Sequence, residues 1–560
     1  MENSKNLTLF EANSNYSASY EETISFFNAL AEANDFIQMN PFGMTDVGKP
    51  LHEIVLDFDK DFDAAESRKK NKAILFINNA IHPGEPCGID ASMMLLRDIA
   101  ESKIDHALFK DLVIVIVPIY NIGGALNRGS TSRANQLGPE HYGFRGNAKN
   151  LDLNRDFIKC DSKNAESFNQ LFNKWNPDVF VDNHTSNGAD YQYVMTLIAT
   201  QKEKLGGAYA EYMEQQMLPE LYKTMKERNF EMIPYVYARE IPDEGIAGFL
   251  DLPRYSSGYA ALHNSISFMP ETHMLKNYKA RVESTYEFSL AMIQHMSAHK
   301  NELLEARNKN ISQDQSRQKN AINWTMDSDR SEEINFKGFS AEYKKSEVTG
   351  LSRLYYDQDK PYEKKIPFYN TYKASTTVDK PAAYIIPQAY RKVIERLKWN
   401  GIEMTALTQD TVMELEMYYI KEYDSSKSPY EGHYLHSNVS VEKQVMKVSF
   451  MAGDMMVKTG QKKDRYILET LEPQAPDSFF AWNFFDGILM QKEHFSAYVF
   501  EDLAKEILDK DRSLNQRFLD KKEKDEAFRN NANAQLNFIY ENSDYFEPTY
   551  KRYPIGRLMP

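Results

Sequence analysis

Two apolar runs constrain this chain more than any other feature: "AILFINN" at 73–79 and "DLVIVIVPIY" at 111–120. A strand with one solvated face alternates apolar and polar residues; a short run without that alternation is buried on both faces. Between them lies "IDASMMLLRDIAES", with helical spacing. A third run, "PDVFVDNH", follows the helical "ESFNQLFNKW", and a fourth is "SISFMPETH". Short Val- and Ile-rich strands separated by helices predict a largely parallel sheet covered on both sides. The helical "YKARVESTYEFSLAMIQHMSAH" closes this part of the chain.

The texture then changes. Residues 301–333 are charged and amide-rich, which predicts a linker over 309–333 after a first domain at 1–308. Beyond it, "KPYEKKIPFYNTYKAS" and "NVSVEKQVMKVSF" alternate like half-buried strands, and "AAYIIPQAYRKVIERLKWNGIEM" reads as strand, helix and strand. Residues 334–560 are therefore expected to form a mixed α/β accessory domain. The aromatics Phe479, Phe480, Trp482 and Phe484 are expected in its core.

With 560 residues and an apolar fraction of 42%, the chain can bury a sizeable core. A formal charge of -14 opposes binding to phosphate backbones. No run approaches the ~18 apolar residues of a membrane span, and the N-terminus shows no signal peptide. Cys87 and Cys160 exclude a disulfide framework but leave one bridge open.

The chemistry-bearing residues fall at strand ends, where open α/β sheets collect ligands. In "FINNAIHPGEPCG", His82 and Glu85 stand where a strand gives way to a helix. A lone His-x-x-Glu arises readily by chance, and a loop histidine beside a solvated glutamate is its ordinary meaning. A catalytic zinc needs a third protein ligand and an open fourth position, and His184 ends another apolar strand. Asp182 and Thr185 lie close enough in sequence to orient an imidazole. "FRGNAKNLDLNRDF" places Asp152, Asn154 and Arg155 together; a guanidinium fork beside an amide grips a carboxylate. Glu271, ending "SISFMPE", suits a general base near an activated water.

His82 and Glu85 in H-x-x-E, Asn154-Arg155 in "LDLNRDF", His184 at a strand end and Glu271 in "PETH" together resemble the zinc metallocarboxypeptidases related to carboxypeptidase A. The resemblance covers roughly residues 20–299. It implies a mixed, mainly parallel eight-stranded sheet sandwiched by helices. It also implies one Zn2+ per chain, held by His82, Glu85 and His184, the His2Glu set that carboxypeptidase A itself uses. Glu271 becomes the base, and Asn154 with Arg155 binds the substrate's terminal carboxylate. The arginine that polarises the scissile carbonyl is taken as Arg145, with Arg128 and Arg133 as competitors. The tyrosine that closes over substrate is taken as Tyr259, with Tyr255 beside it.

The implied activity is removal of a C-terminal residue from peptides bearing a free carboxylate. Alternatives are a zinc deacylase or amidase acting on acyl-amino acids or cell-wall stem peptides, and a catalytically silent protein- or glycan-binding module. The extension over 334–560, notably "LEPQAPDSFFAWNFFDG", is similar to that of large bacterial members, which implies a secreted or periplasmic protein. The chain departs from the family's usual turn after the second strand, reading Asn121-Ile122-Gly123-Gly124. Within the segment from Leu250 to Glu271, Asp251 would favour a basic substrate residue and Arg254 an acidic one.

Overall fold

The computed structural model describes residues 7–238 and 240–560. Ten strands organise the first half: β1 (Ile37–Met44), β2 (Pro50–Leu56), β3 (Ala73–Asn78), β4 (Leu112–Val117), β5 (Val179–Asp182), β6 (His184–Ser186), β7 (Met195–Ala199), β8 (Ile233–Pro234), β9 (Ile246–Ala247) and β10 (Ile266–His273). All but β9 belong to one sheet, ordered β1-β2-β4-β3-β5-β10-β7-β8, with β6 also paired to β10. β5 and β6 are one strand interrupted at Asn183, so the sheet has eight positions, as the resemblance implies. Its centre, β4-β3-β5-β10, is parallel. β1, β2 and β7 pair antiparallel at the flanks.

The apolar runs are buried on both faces, and their parity shows it. In β3, Ala73, Leu75 and Ile77 enter one core while Ile74 and Phe76 enter another. In β4, Leu112, Ile114 and Ile116 face the first core, and Val113, Val115 and Val117 the second. The helices Cys87–Ala100 and Tyr278–Ala298 contribute Met93, Leu96, Met292 and Met296 to the first. The second is closed by Phe168 and Phe172 of the helix Lys163–Trp175 and by Tyr259.

That second core does not stop at the expected domain boundary. Tyr384, Tyr466, Phe479, Phe480 and Trp482 pack into the same cluster as Phe76 and Phe180 of the sheet. Nor does 309–333 behave as a linker. The helix Lys300–Ser316 runs through its start, and the strand Lys319–Met326 pairs antiparallel with Tyr372–Asp379. Polar side chains hold this helix: Arg307, Asn310 and Asp314 are buried, and Asn310 Nδ2 donates to Asn264 Oδ1 at 2.8 Å. A buried polar face is invisible to hydropathy, which explains the misreading. Cys87 and Cys160 are both free and buried. Among the described residues no helix is long and apolar enough to cross a membrane.

Candidate active site

His82 and Glu85 belong to one tight turn, closed by a 2.8 Å hydrogen bond from Glu85 N to His82 O. The turn leads from β3 into the helix Cys87–Ala100, and Gly84 within it lets Arg133 approach. A Cβ there would lie 2.6 Å from Arg133 Cδ. His184 opens β6, where it is the register partner of Glu271 on β10. Three neighbouring parallel strands thus deliver their ends to one place. The ligand atoms of His82, Glu85 and His184 all lie within 4.8 Å of one another, and all three residues are buried.

Both imidazoles are oriented from behind. His82 Nε2 lies 2.9 Å from Asp152 Oδ1, and His184 Nε2 lies 2.9 Å from Asp182 Oδ2. Their Nδ1 atoms are left facing Glu85, at 3.4 Å and 3.3 Å. His82 Nδ1 is buried without a hydrogen-bond partner among the described residues. An orphaned imidazole nitrogen, a second one beside it and a carboxylate between them fit a tetrahedral zinc with an open fourth position. Thr185 contributes its backbone, donating from N to Glu85 Oε2 at 2.8 Å.

The electrostatics follow from burial. Glu271 is pushed up to about 7, first by desolvation and then by the charge of Glu85, with His184 opposing. Glu85 is held well below the usual carboxylate range although burial opposes it, because His82, Arg133 and His184 surround it. Asp152 is likewise lowered against its burial by His82 and Arg145. His184 is raised well above the usual imidazole range, burial being overridden by Asp182. Binding a metal cation there would displace that proton.

His82, Glu85 and His184 line a cleft of about 420 Å³ together with Arg145, Asn154, Arg155 and Glu271. Of the competing arginines, Arg133 is tied to Glu85 Oε1 at 3.0 Å and to the Thr185 carbonyl at 3.2 Å. Arg145 Nε pairs with Asp152 at 2.9 Å while its side chain stays 44% exposed, so it retains donors for a ligand. Arg128 sits over the Tyr16 ring and donates to the Ser17 carbonyl instead.

Tyr259 is a correction. It is fully buried, and its hydroxyl donates to Asn400 Oδ1 at 2.6 Å. The helix Ser256–Leu262 turns it into the second core. Tyr255, one turn earlier, lines the cleft with the Arg155 guanidinium 4.5 Å from its ring centre. Asp251 and Arg254 do not reach the cleft either. They are buried in pairs with Lys204 at 3.1 Å and Asp477 at 2.9 Å. Ile198, Tyr235, Phe249 and Met269 line it instead. An adjoining, more apolar cavity of about 390 Å³ shares the first three of these residues.

Sequence reasoning also missed two residues from the far half of the chain. Tyr430 accepts a 3.0 Å hydrogen bond from Arg155 Nε, and Glu431 Oε2 accepts from Asp152 N at 2.8 Å. No local pattern marks either one.

The sequence model of the family described as zinc carboxypeptidase matches residues 23–313, more than half of the chain. The chain belongs to the zinc carboxypeptidase family. It is an enzyme of that hydrolase class. "Carboxypeptidase 2" of Trichophyton rubrum is 22% identical over 482 residues, covering 82% of each chain. Its counterpart in Trichophyton tonsurans is 22% identical over 476 residues, again with 82% of each covered. Alignments of that length run past residue 313, so the likeness to carboxypeptidases extends into the second half. Among solved structures, a metallo-carboxypeptidase from Burkholderia cenocepacia matches half of this chain and 70% of its own, at 18% identity and a TM-score of 0.38. One from Pseudomonas aeruginosa, in complex with (2-guanidinoethylmercapto)succinic acid, matches 51% and 70% at 14% identity and a TM-score of 0.38.

Proposed function

We propose that this zinc carboxypeptidase releases the C-terminal residue of peptides, with His82, Glu85 and His184 holding the metal. The observation that carries the reading is one cleft joining that ligand cluster to Glu271 on one side and to Asn154 and Arg155 on another. A bound zinc would polarise the scissile carbonyl and lower the pKa of water there.

The chain's own residues do the rest. Glu271, desolvated and raised to about 7, takes a proton from water near neutral pH and returns it to the leaving amine. Arg145 supplies positive charge where the carbonyl oxygen becomes an oxyanion. Arg155, braced by Tyr255 and Tyr430, receives the free α-carboxylate, with Asn154 beside it. The apolar lining of Ile198, Tyr235, Phe249 and Met269 favours an apolar C-terminal side chain over a charged one.

The test pairs each peptide substrate with its C-terminal amide. A free-acid preference of at least ~10²-fold in kcat/KM follows from losing a charge-assisted anchor and the orientation it gives. Equal turnover of acid and amide would overturn the carboxypeptidase reading in favour of a deacylase or amidase. Peptides ending in Phe or Leu should also outrun those ending in Lys or Asp.

A further inference from the structure

A second group of metal-ligating side chains lies outside the cleft. Glu220 comes from the helix Leu218–Glu227, His295 from the last turn of the helix Tyr278–Ala298, and His299 from the residue that caps it. Their ligand atoms all lie within 4.8 Å of one another. His295 and His299 are four residues apart, so one helical turn stacks them on the same face. Their rings are 4.8 Å apart.

The layout repeats that of the catalytic cluster: each imidazole has one nitrogen toward a carboxylate and the other held from behind. Glu220 Oε2 lies 3.0 Å from His295 Nδ1 and 3.0 Å from His299 Nε2. Behind them, the Tyr212 hydroxyl meets His295 Nε2 at 2.8 Å, and the Gln216 amide meets His299 Nδ1 at 3.0 Å. Ligation through His299 Nε2 requires the Gln216 side-chain oxygen, rather than its nitrogen, to turn toward Nδ1–H. Tyr212, Gln216 and Glu220 are spaced by four along one continuous helical segment. A π-helical turn, Met213–Met217, lies within it; such turns recur where a helix must present side chains to a ligand.

An ion pair alone does not account for this arrangement. His295 is only 1% exposed, yet its Nδ1 makes no well-directed hydrogen bond among the described residues, although Glu220 is in reach. A tetrahedral ion with bonds of about 2.1 Å separates its donors by about 3.4 Å, a few tenths beyond the spacings here. The side chains of Glu220 and His299 are 38% and 27% exposed, so water can complete the shell from outside.

We propose that Glu220, His295 and His299 form a second zinc site that clips the helix Leu218–Glu227 to the helix Tyr278–Ala298. The site raises the zinc content of the chain above the single ion implied by the family resemblance. Because it binds the folded chain, its occupancy stabilises the fold.

The test measures zinc by mass spectrometry on full-length protein dialysed against zinc chloride and then metal-free buffer. The parent should retain about two equivalents, and His299→Ala and Glu220→Gln about one each with peptide hydrolysis kept. In the His82→Ala, His184→Ala background one equivalent should remain, and His299→Ala should remove it. A parent holding one equivalent, or a His299→Ala chain with unchanged zinc, overturns the second site. Should the catalytic assignment fail instead, the His82→Ala, His184→Ala chain keeps its full zinc while His299→Ala still lowers it. If that background does not fold, thermal unfolding of the single variants decides. Added zinc should raise the melting temperature of the parent by more than that of Glu220→Gln, and equal increments overturn the proposal.

Discussion

His82 and Asp152 are joined by a 2.9 Å contact between Nε2 and Oδ1, and the other oxygen of the same carboxylate accepts from Arg145 Nε at 2.9 Å. Asp152 therefore orients a metal-ligand candidate and the candidate oxyanion-binding arginine together. It is itself fixed through its backbone N–H by Glu431. Asp152→Asn keeps the shape but loses the charge that holds the imidazole and the guanidinium. Zinc affinity should fall by ~10- to 100-fold, the usual scale for an outer-shell partner. Competition with a chromogenic chelator reads this directly, and unchanged affinity would remove Asp152 from the metal site.

Glu271→Gln should retain zinc while kcat falls by at least ~10²-fold, since a buried amide cannot take or return a proton. In the parent, burial and the charge of Glu85 push Glu271 up to about 7 before metal binds. Below that pH the group is protonated and cannot act as a base. A variant with nearly normal kcat would exclude Glu271 from the chemistry.

Much of the sheet was legible because its central strands carry their environment in their composition. The runs in β3 and β4 lack alternation because both faces are buried, and the ligand candidates sit where those runs end. Tyr255 and Tyr259 could not be told apart in this way. The helix Ser256–Leu262 is buried all round, so its sequence does not say which side faces the cleft. The segment 309–333 misled for the opposite reason, since it is held by polar contacts that hydropathy scores as solvent. Tyr430 and Arg155, 275 residues apart, meet only through the tertiary fold.

Asp178 tests how firmly the helix Lys300–Ser316 is tied to the sheet. It accepts from Arg68 at 2.6 Å, from Arg307 at 2.7 Å and from the Ile74 N–H at 2.8 Å, joining the sheet to the helix Lys300–Ser316. Burial works against its charge, but the two arginines and the backbone hold it below its usual 3.8. With the folded value depressed, the stabilisation is fully present above 3.8 and is lost as pH falls through that value and below. Asp178→Asn should cost about 3–5 kcal/mol at pH 7, as breaking a buried ionic network does. Its gap from the parent in melting temperature should shrink under acid. The shared core further predicts one cooperative transition and resistance to proteolysis at 312–333. Release of a stable fragment by cleavage there would restore a linker.

Tyr430 tests whether the second half contributes to substrate binding. Its hydroxyl accepts from Arg155 Nε, while its ring packs near Trp482 and under Arg254. Tyr430→Phe preserves that packing and removes only the bond to the guanidinium. A hydrogen bond to a charged group is worth about 1.5–3 kcal/mol, which bounds the effect at roughly 10- to 150-fold. If Arg155 anchors the terminal carboxylate, the loss should fall mainly on KM for free-acid peptides. In an Arg155→Met background the same change should cost almost nothing, because the group it braces is already gone. Amidated peptides should be indifferent to Tyr430→Phe for the same reason. The two comparisons form a cycle in which any general effect on folding cancels. Additive losses in the double variant, or an equal loss on amidated substrate, would separate Tyr430 from carboxylate recognition and return the second half to a purely structural role.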